Sequence, residues 1–204
     1  VNDSTTLNLI RKYLKAGVME KGLEKATITG VPQGGPLSVV CSNVYLDKLD
    51  KELEQRGLRF TRYADDVLIF TKSEMAANRV MKSISSWLER KLFLKVNATK
   101  TKVVRPTRSK YLGFTFLKNG GEWKVKPTTE KKKKLQKKMR EYLKRNKAAA
   151  RPLAVTIKRV NEMVRGWINY FRIGLMKQFM EEFGEWLRHK VRMIVMKQWK
   201  KPKT

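Results

Sequence analysis

The sequence predicts an α+β chain, a first part of short antiparallel strands and helices followed by a part made of helices alone. Three observations carry this reading. Runs of β-branched, aromatic and aliphatic residues at 58–63 and 67–70 flank a short polar turn. A second pair, at 111–117 and 123–125, flanks Lys118-Asn119-Gly120-Gly121-Glu122, whose Asn-Gly and Gly-Gly steps signal a hairpin. Beyond Pro127 the strand signals stop and only helical periodicity continues, so the parts are set at residues 1–126 and 127–204.

In chain order, residues 5–16 carry Leu7, Ile10 and Leu14 at helical spacing, with Gly17 as a stop. Residues 30–38 turn sharply, with two prolines, three glycines and no charge, and open a helix through Leu37, Val40, Cys41, Val44, Leu49 and Leu53. The first hairpin follows. Ala77, Val80, Met81, Ile84, Trp87 and Leu88 then trace the inner face of a helix with Ser73 as its N-cap. Short extended runs are expected at 92–96 and 101–104, around Asn97-Ala98-Thr99-Lys100.

In the second part, a basic run carries a thin apolar stripe at Leu135, Met139, Tyr142 and Leu143. Pro152 restarts the pattern, and Ile157, Val160, Val164, Trp167 and Phe171 define a helix ended by Gly174. A third helix runs over about 176–199 through Phe179, Phe183, Trp186, Leu187, Val191 and Ile194. Three such stripes bury one another as a bundle, with the aromatics as its core. Cys41, the single cysteine, reads as a small core residue, and His189, the single histidine, as solvated or RNA-facing.

Charge sets the partner class. Across 204 residues, 47 Lys and Arg against 18 Asp and Glu leave +29, a field that concentrates polyanions. Nucleic acid is the leading partner. No apolar run approaches the roughly 20 residues of a spanning helix, and no secretory pattern opens the sequence, so a soluble cytoplasmic protein with no membrane partner is expected.

Asp65 and Asp66 fall at the tip of the first hairpin. Asp-Asp in a polar turn is usually turn chemistry. Two carboxylates at a hairpin tip are also the oxygen donors a hard divalent cation such as Mg²⁺ takes from a protein, with water and substrate phosphates filling its other positions. Lys100 reads equally well as a solvated lysine. The run Lys131-Lys132-Lys133-Lys134-Leu135-Gln136-Lys137-Lys138-Met139-Arg140 has almost no acids to balance it, so phosphates or counterions must relieve its repulsion.

Taken together, Gly30-Val31-Pro32-Gln33-Gly34-Gly35-Pro36-Leu37-Ser38, Arg62-Tyr63-Ala64-Asp65-Asp66-Val67, Asn97-Ala98-Thr99-Lys100-Thr101-Lys102 and Lys110-Tyr111-Leu112-Gly113-Phe114 resemble, in order and separation, the palm of reverse transcriptases. The closest resemblance is to the group II intron reverse transcriptases, or maturases. Arg165-Gly166-Trp167-Ile168-Asn169-Tyr170-Phe171 and Trp199-Lys200-Lys201-Pro202-Lys203 are similar to their maturase-specific region, domain X, which acts as the thumb.

The resemblance implies a partial palm, an antiparallel sheet backed by helices, followed by an α-helical thumb. It implies an RNA-directed DNA polymerase using two Mg²⁺ ions, with intron or template RNA, a DNA primer and dNTP as partners. Asp65 and Asp66 become catalytic metal ligands. Gln33, Gly34, Pro36 and Lys100 become nucleotide-binding residues, and Tyr111, Leu112 and Gly113 the primer grip. Lys131, Lys132, Lys133, Lys134, Lys137, Lys138, Arg140 and Arg165 become RNA-binding. The family's first catalytic aspartate and its fingers are expected upstream of Val1, so the 204-residue chain alone is expected to be inactive in polymerisation. The alternative is an RNA-binding splicing cofactor, or a remnant, with no polymerase activity of its own.

Overall fold

The computed structural model describes residues 3–20, 23–25 and 35–199; among them the architecture is α+β, with seven α-helices and three two-stranded antiparallel sheets. The chain divides into two compact units, Val1–Val103 and Val104–Thr204. Each has its own hydrophobic core.

In the first unit, Asp3 caps α1 (Ser4–Lys15), its carboxylate accepting from the Thr5 and Thr6 backbone N–H groups at 3.1 and 2.9 Å and from the Thr6 hydroxyl. A short hairpin, β1 (Val18–Glu20) with β2 (Leu23–Lys25), follows without a strand signal in the sequence. Gly35 is the N-cap and Pro36 the first residue of α2 (Pro36–Gln55), so the glycine-proline loop does open a helix. Only the second half of α2 enters the core. Leu46, Leu49 and Leu53 are buried, whereas Val40 and Val44, on the same periodicity, are 55% and 71% exposed.

The core partners of α2 are β3 (Arg59–Tyr63), β4 (Asp66–Phe70) and α3 (Glu74–Lys91), through Phe60, Val67, Ile69, Val80, Ile84 and Leu88. Ser73 caps α3 by accepting from the Ala76 N–H, as its position predicts. The Tyr45 hydroxyl donates to the Leu92 carbonyl at 2.6 Å and ties α2 to the end of α3. Residues 92–96 and 101–104 form no strand. Between them the Asn97 side chain accepts from the N–H groups of Thr99 and Lys100, a local turn that competes with ladder pairing.

The second unit begins ahead of its hairpin. A 3-10 turn at Pro106–Arg108 precedes β5 (Phe114–Asn119) and β6 (Glu122–Pro127), joined through Gly120 and Gly121, both at positive φ. Helices α4 (Thr129–Tyr142), α5 (Arg145–Ala149), α6 (Leu153–Phe171) and α7 (Lys177–Gln198) follow, α5 being a short element the sequence pattern lacks. Leu135, Met139, Leu143, Val160, Phe179, Phe183 and Ile194 form their common core. The hairpin belongs with these helices because Phe114 packs on Tyr170 and Phe171, and the Leu175 N–H donates to the Val125 carbonyl. Pro127, where composition shifts, is therefore the last strand residue, and the division between units lies upstream of it.

Candidate functional site

The β3–β4 register closes on Tyr63 opposite Asp66, leaving Ala64 and Asp65 as a two-residue loop. Ala64 has φ +54°, a left-handed conformation that costs a non-glycine residue about 1–2 kcal/mol. Asp65 sits in the loop and Asp66 opens β4, and both are exposed. The two carboxylates therefore stand at one end of a hairpin whose other face enters the core. Among the described residues no group of three or more His, Cys, Asp or Glu gathers to hold a metal ion. Asp3, an acid earlier in the chain, is occupied as a helix cap.

Arg62 holds this tip from behind. Its Nε and Nη2 donate to the two carboxylate oxygens of Asp50 at 2.7 and 2.5 Å, a fork-on-fork pair. Its Nη1 donates to Asn43 Oδ1 at 2.8 Å and to the carbonyl of Ala64 at 3.0 Å. The Arg62 side chain is 12% exposed and that of Asp50 25%, so the pair is largely out of water. One guanidinium thus joins α2, β3 and the strained loop that carries the acids. Sequence reasoning passed over Asn43 and Asp50. Their separation of seven residues, which places both on one face of a helix beside the hairpin, was the available signal.

Gln33 and Gly34 lie outside the described residues, and Pro36 is the first residue of α2. Lys100 is exposed on the Asn97 turn.

Tyr111, Leu112 and Gly113 are not strand residues, a correction to the hairpin as read from sequence; they form a tight turn ahead of β5. Tyr111 and Phe114 exchange backbone hydrogen bonds at 3.0 and 2.8 Å, while Leu112 and Gly113 have φ +50° and +84°. Positive φ at both central positions is the type I′ signature. The turn is stitched to the helices, the Leu112 carbonyl accepting from the Tyr170 hydroxyl at 2.9 Å and the Gly113 carbonyl from the Thr128 N–H at 2.9 Å. A Cβ on Gly113 would lie 2.9 Å from Lys131 Cε. Its positive φ favours glycine, and an added Cβ would also press on Lys131 Cγ at 3.2 Å and Phe171 Cζ at 3.4 Å.

On α4, Leu135 and Met139 turn inward while Lys131, Lys133, Lys134, Lys137, Lys138 and Arg140 are exposed. Lys132 differs: its ammonium lies 5.1 Å from the centre of the Phe179 ring. Burial first, and the nearby Lys126 cation second, push it below the usual lysine range, against the opposing pull of Glu182. Arg165 is exposed on α6, and His189 on α7. Cys41 is half-buried with its thiol free.

A two-carboxylate hairpin on a helix-backed α+β scaffold, followed by a basic helical unit, is the setting in which comparison with known proteins becomes informative. The reverse transcriptase (RNA-dependent DNA polymerase) family matches residues 2–116, more than half of the chain, and the chain belongs to this family. The group II intron, maturase-specific domain matches residues 132–204, which narrows the membership to the group II intron reverse transcriptases and maturases. Protein YkfC of Escherichia coli (strain K12) is 28% identical over 57% of this chain and 39% of its own length. Group II intron-encoded protein LtrA of Lactococcus lactis subsp. cremoris is 42% identical over 30% of this chain and 10% of its own. The putative COX1/OXI3 intron 2 protein of Saccharomyces cerevisiae is 30% identical over 52% of this chain and 11% of its own. The chain thus spans well under half the length of these relatives. Among the described residues no helix is long and apolar enough to cross a membrane.

Proposed function

We propose that this chain is a portion of an RNA-directed DNA polymerase of the group II intron type that also binds intron RNA as a maturase, acting in the cytoplasm on RNA, a DNA primer and dNTP. The observation that carries the proposal is the exposed Asp65–Asp66 pair on a strained hairpin loop that Arg62 clamps to α2. Adjacent exposed carboxylates suit a hard divalent ion that keeps water and phosphate oxygens in its other positions, so these residues fit Mg²⁺. When bound, Mg²⁺ would supply activation of the primer 3′-hydroxyl and charge neutralisation at the leaving pyrophosphate.

The chain's own residues divide the remaining work. Asp65 and Asp66 orient the ions, and Arg62 keeps their loop from relaxing. The family resemblance assigns Gln33, Gly34 and Pro36 to the incoming nucleotide, and Lys100 to its phosphates. The Tyr111–Leu112–Gly113 turn presents the primer end, with the Leu112 and Gly113 carbonyls anchored by Tyr170 and Thr128. The exposed lysines of α4, with Arg140 and Arg165, track RNA phosphates. Lys132 contributes packing on Phe179 as well as charge.

A second reading, an RNA-binding splicing cofactor without chemistry of its own, is favoured for the isolated chain. Its basic helix is complete, whereas two carboxylates are fewer than a pair of divalent ions takes. The purified 204-residue chain tests this division of labour. Expected are RNA binding that weakens by about 0.7–0.9 log units per log[salt] for each phosphate neutralised, a shallower slope in Lys133→Glu/Lys134→Glu/Lys137→Glu/Lys138→Glu, and no templated extension of a primer. An unchanged salt slope in that variant would remove α4 from the RNA interface, and Mg²⁺-dependent extension lost on Asp66→Asn would show that the chain completes its own metal site.

A further inference from the structure

The α4–α5–α7 corner of the second unit holds a half-open cavity of about 470 Å³, lined by Arg140, Lys144, Arg145, Trp186 and Lys190 over an apolar floor that includes Ile194. Its volume lies in the range of small-ligand sites, about 300–1,000 Å³. Four of its lining residues are cations and none is an acid. A cavity of this composition suits an anion that also carries an apolar face.

The wall it presents is the end of a stacked ladder. Phe179 and Phe183 stack at 5.7 Å and 15°, and Phe183 and Trp186 at 5.6 Å and 25°. The Arg140 guanidinium caps the ladder, 5.9 Å from the centre of the Trp186 ring. Phe179 and Phe183 are both buried in the core, so the ladder is anchored at its inner end, while Arg140 is exposed at its outer end. A guanidinium within cation–π reach of an indole offers, with that ring, planar surfaces on which an unpaired base can stack. Lys144, Arg145 and Lys190 surround that platform with donors for the adjoining phosphate. A base-paired nucleotide keeps its faces covered by its neighbours and cannot add to the ladder.

We propose that this cavity is a binding site for one unpaired nucleotide of an RNA strand, its base layered on Arg140 and Trp186 and its phosphate held by Lys144, Arg145 and Lys190. The inference rests on the RNA-binding half of the proposed function and deepens it: the second unit reads strand state as well as charge.

The test uses the whole chain and a fluorescent RNA oligomer in three forms: single-stranded, annealed to its complement, and with its bases replaced by abasic sites. Arg140→Lys retains the charge and removes the stacking plane. Wild-type chain is expected to bind the single strand at least about fivefold more tightly than the abasic strand, since stacking of one base on a side chain carries at least that much. Arg140→Lys is expected to bring the two within twofold, with an unchanged melting temperature. Lys190→Gln is expected to weaken both strands while keeping their ratio. A wild-type chain indifferent to the loss of bases, or an Arg140→Lys variant that keeps the full preference, overturns the site while leaving general RNA binding intact. Failure to bind any of the three forms overturns the RNA-binding reading together with it.

Discussion

Replacing Arg62 by Met keeps a side chain of similar length and removes, together, the hydrogen bonds to both Asp50 oxygens, to Asn43 and to the Ala64 carbonyl. Breaking a buried ion pair from one side costs about 3–5 kcal/mol, mainly because the remaining charge is stranded. Asp50 keeps a quarter of its surface in water, which screens it, so about 2–4 kcal/mol is expected here. The loss should concentrate in the hairpin, since the same guanidinium holds a loop whose Ala64 already carries left-handed strain. Hydrogen exchange read on peptides covering 59–70, with 129–142 as the control in the other unit, measures it locally. Pairing Arg62→Met with Asp50→Leu should recover most of the loss, because no charge is then stranded. Arg62→Met exchange at the wild-type rate in 59–70, or a double variant no better than the single one, would refute the clamp.

Three further expectations follow from local geometry. Ala64→Gly relieves the left-handed strain against a larger loss of chain freedom and should stabilise the hairpin by up to about 1 kcal/mol, measured by the same exchange. Gly113→Ala should destabilise the second unit by about 1–2 kcal/mol in urea unfolding, more than Gly120→Ala, since Gly120 shares the positive φ but has open space around it. The Asp3 carboxyl is held below its ordinary range by the Thr6 hydroxyl first and by the Thr6 and Thr5 N–H groups next. A lowered folded value means that the cap is fully present above about pH 4 and is lost as pH falls through that folded value. The Thr5 and Thr6 amide resonances should titrate accordingly and cease to do so in Asp3→Ala.

Much of this arrangement was legible where local chemistry and tertiary packing agree. The strand runs at 58–63 and 67–70 predicted β3 and β4 to within a residue, and the Asn119-Gly120-Gly121 steps predicted the second hairpin. Ser73 and the inner face of α3 were legible because cap and periodicity point the same way. Where a residue's state depends on what meets it, the pattern misled. Val40 and Val44 share the spacing of Leu49 and Leu53, yet only the latter reach the core.

Residues 111–113 read as strand because Tyr and Leu favour it. The carbonyls of Leu112 and Gly113 are taken instead by Tyr170 and Thr128, partners distant in sequence. At the candidate site, Asp65 and Asp66 were visible as a motif. The Arg62–Asp50–Asn43 clamp behind them is made between two elements, and the seven-residue spacing of Asn43 and Asp50 marks a shared helix face without naming Arg62 as their partner.

Catalysis is assigned to Asp65 and Asp66, and single-turnover extension of a DNA primer on an RNA template with Mg²⁺, by the full-length protein carrying Asp65→Asn or Asp66→Asn, measures that role. Both residues are exposed at a hairpin tip, so each variant should fold and bind RNA as the wild type does. Nucleotide incorporation should fall to background in both. Full-rate extension by either variant, with its fold intact, would contradict the assignment of these two carboxylates to catalysis.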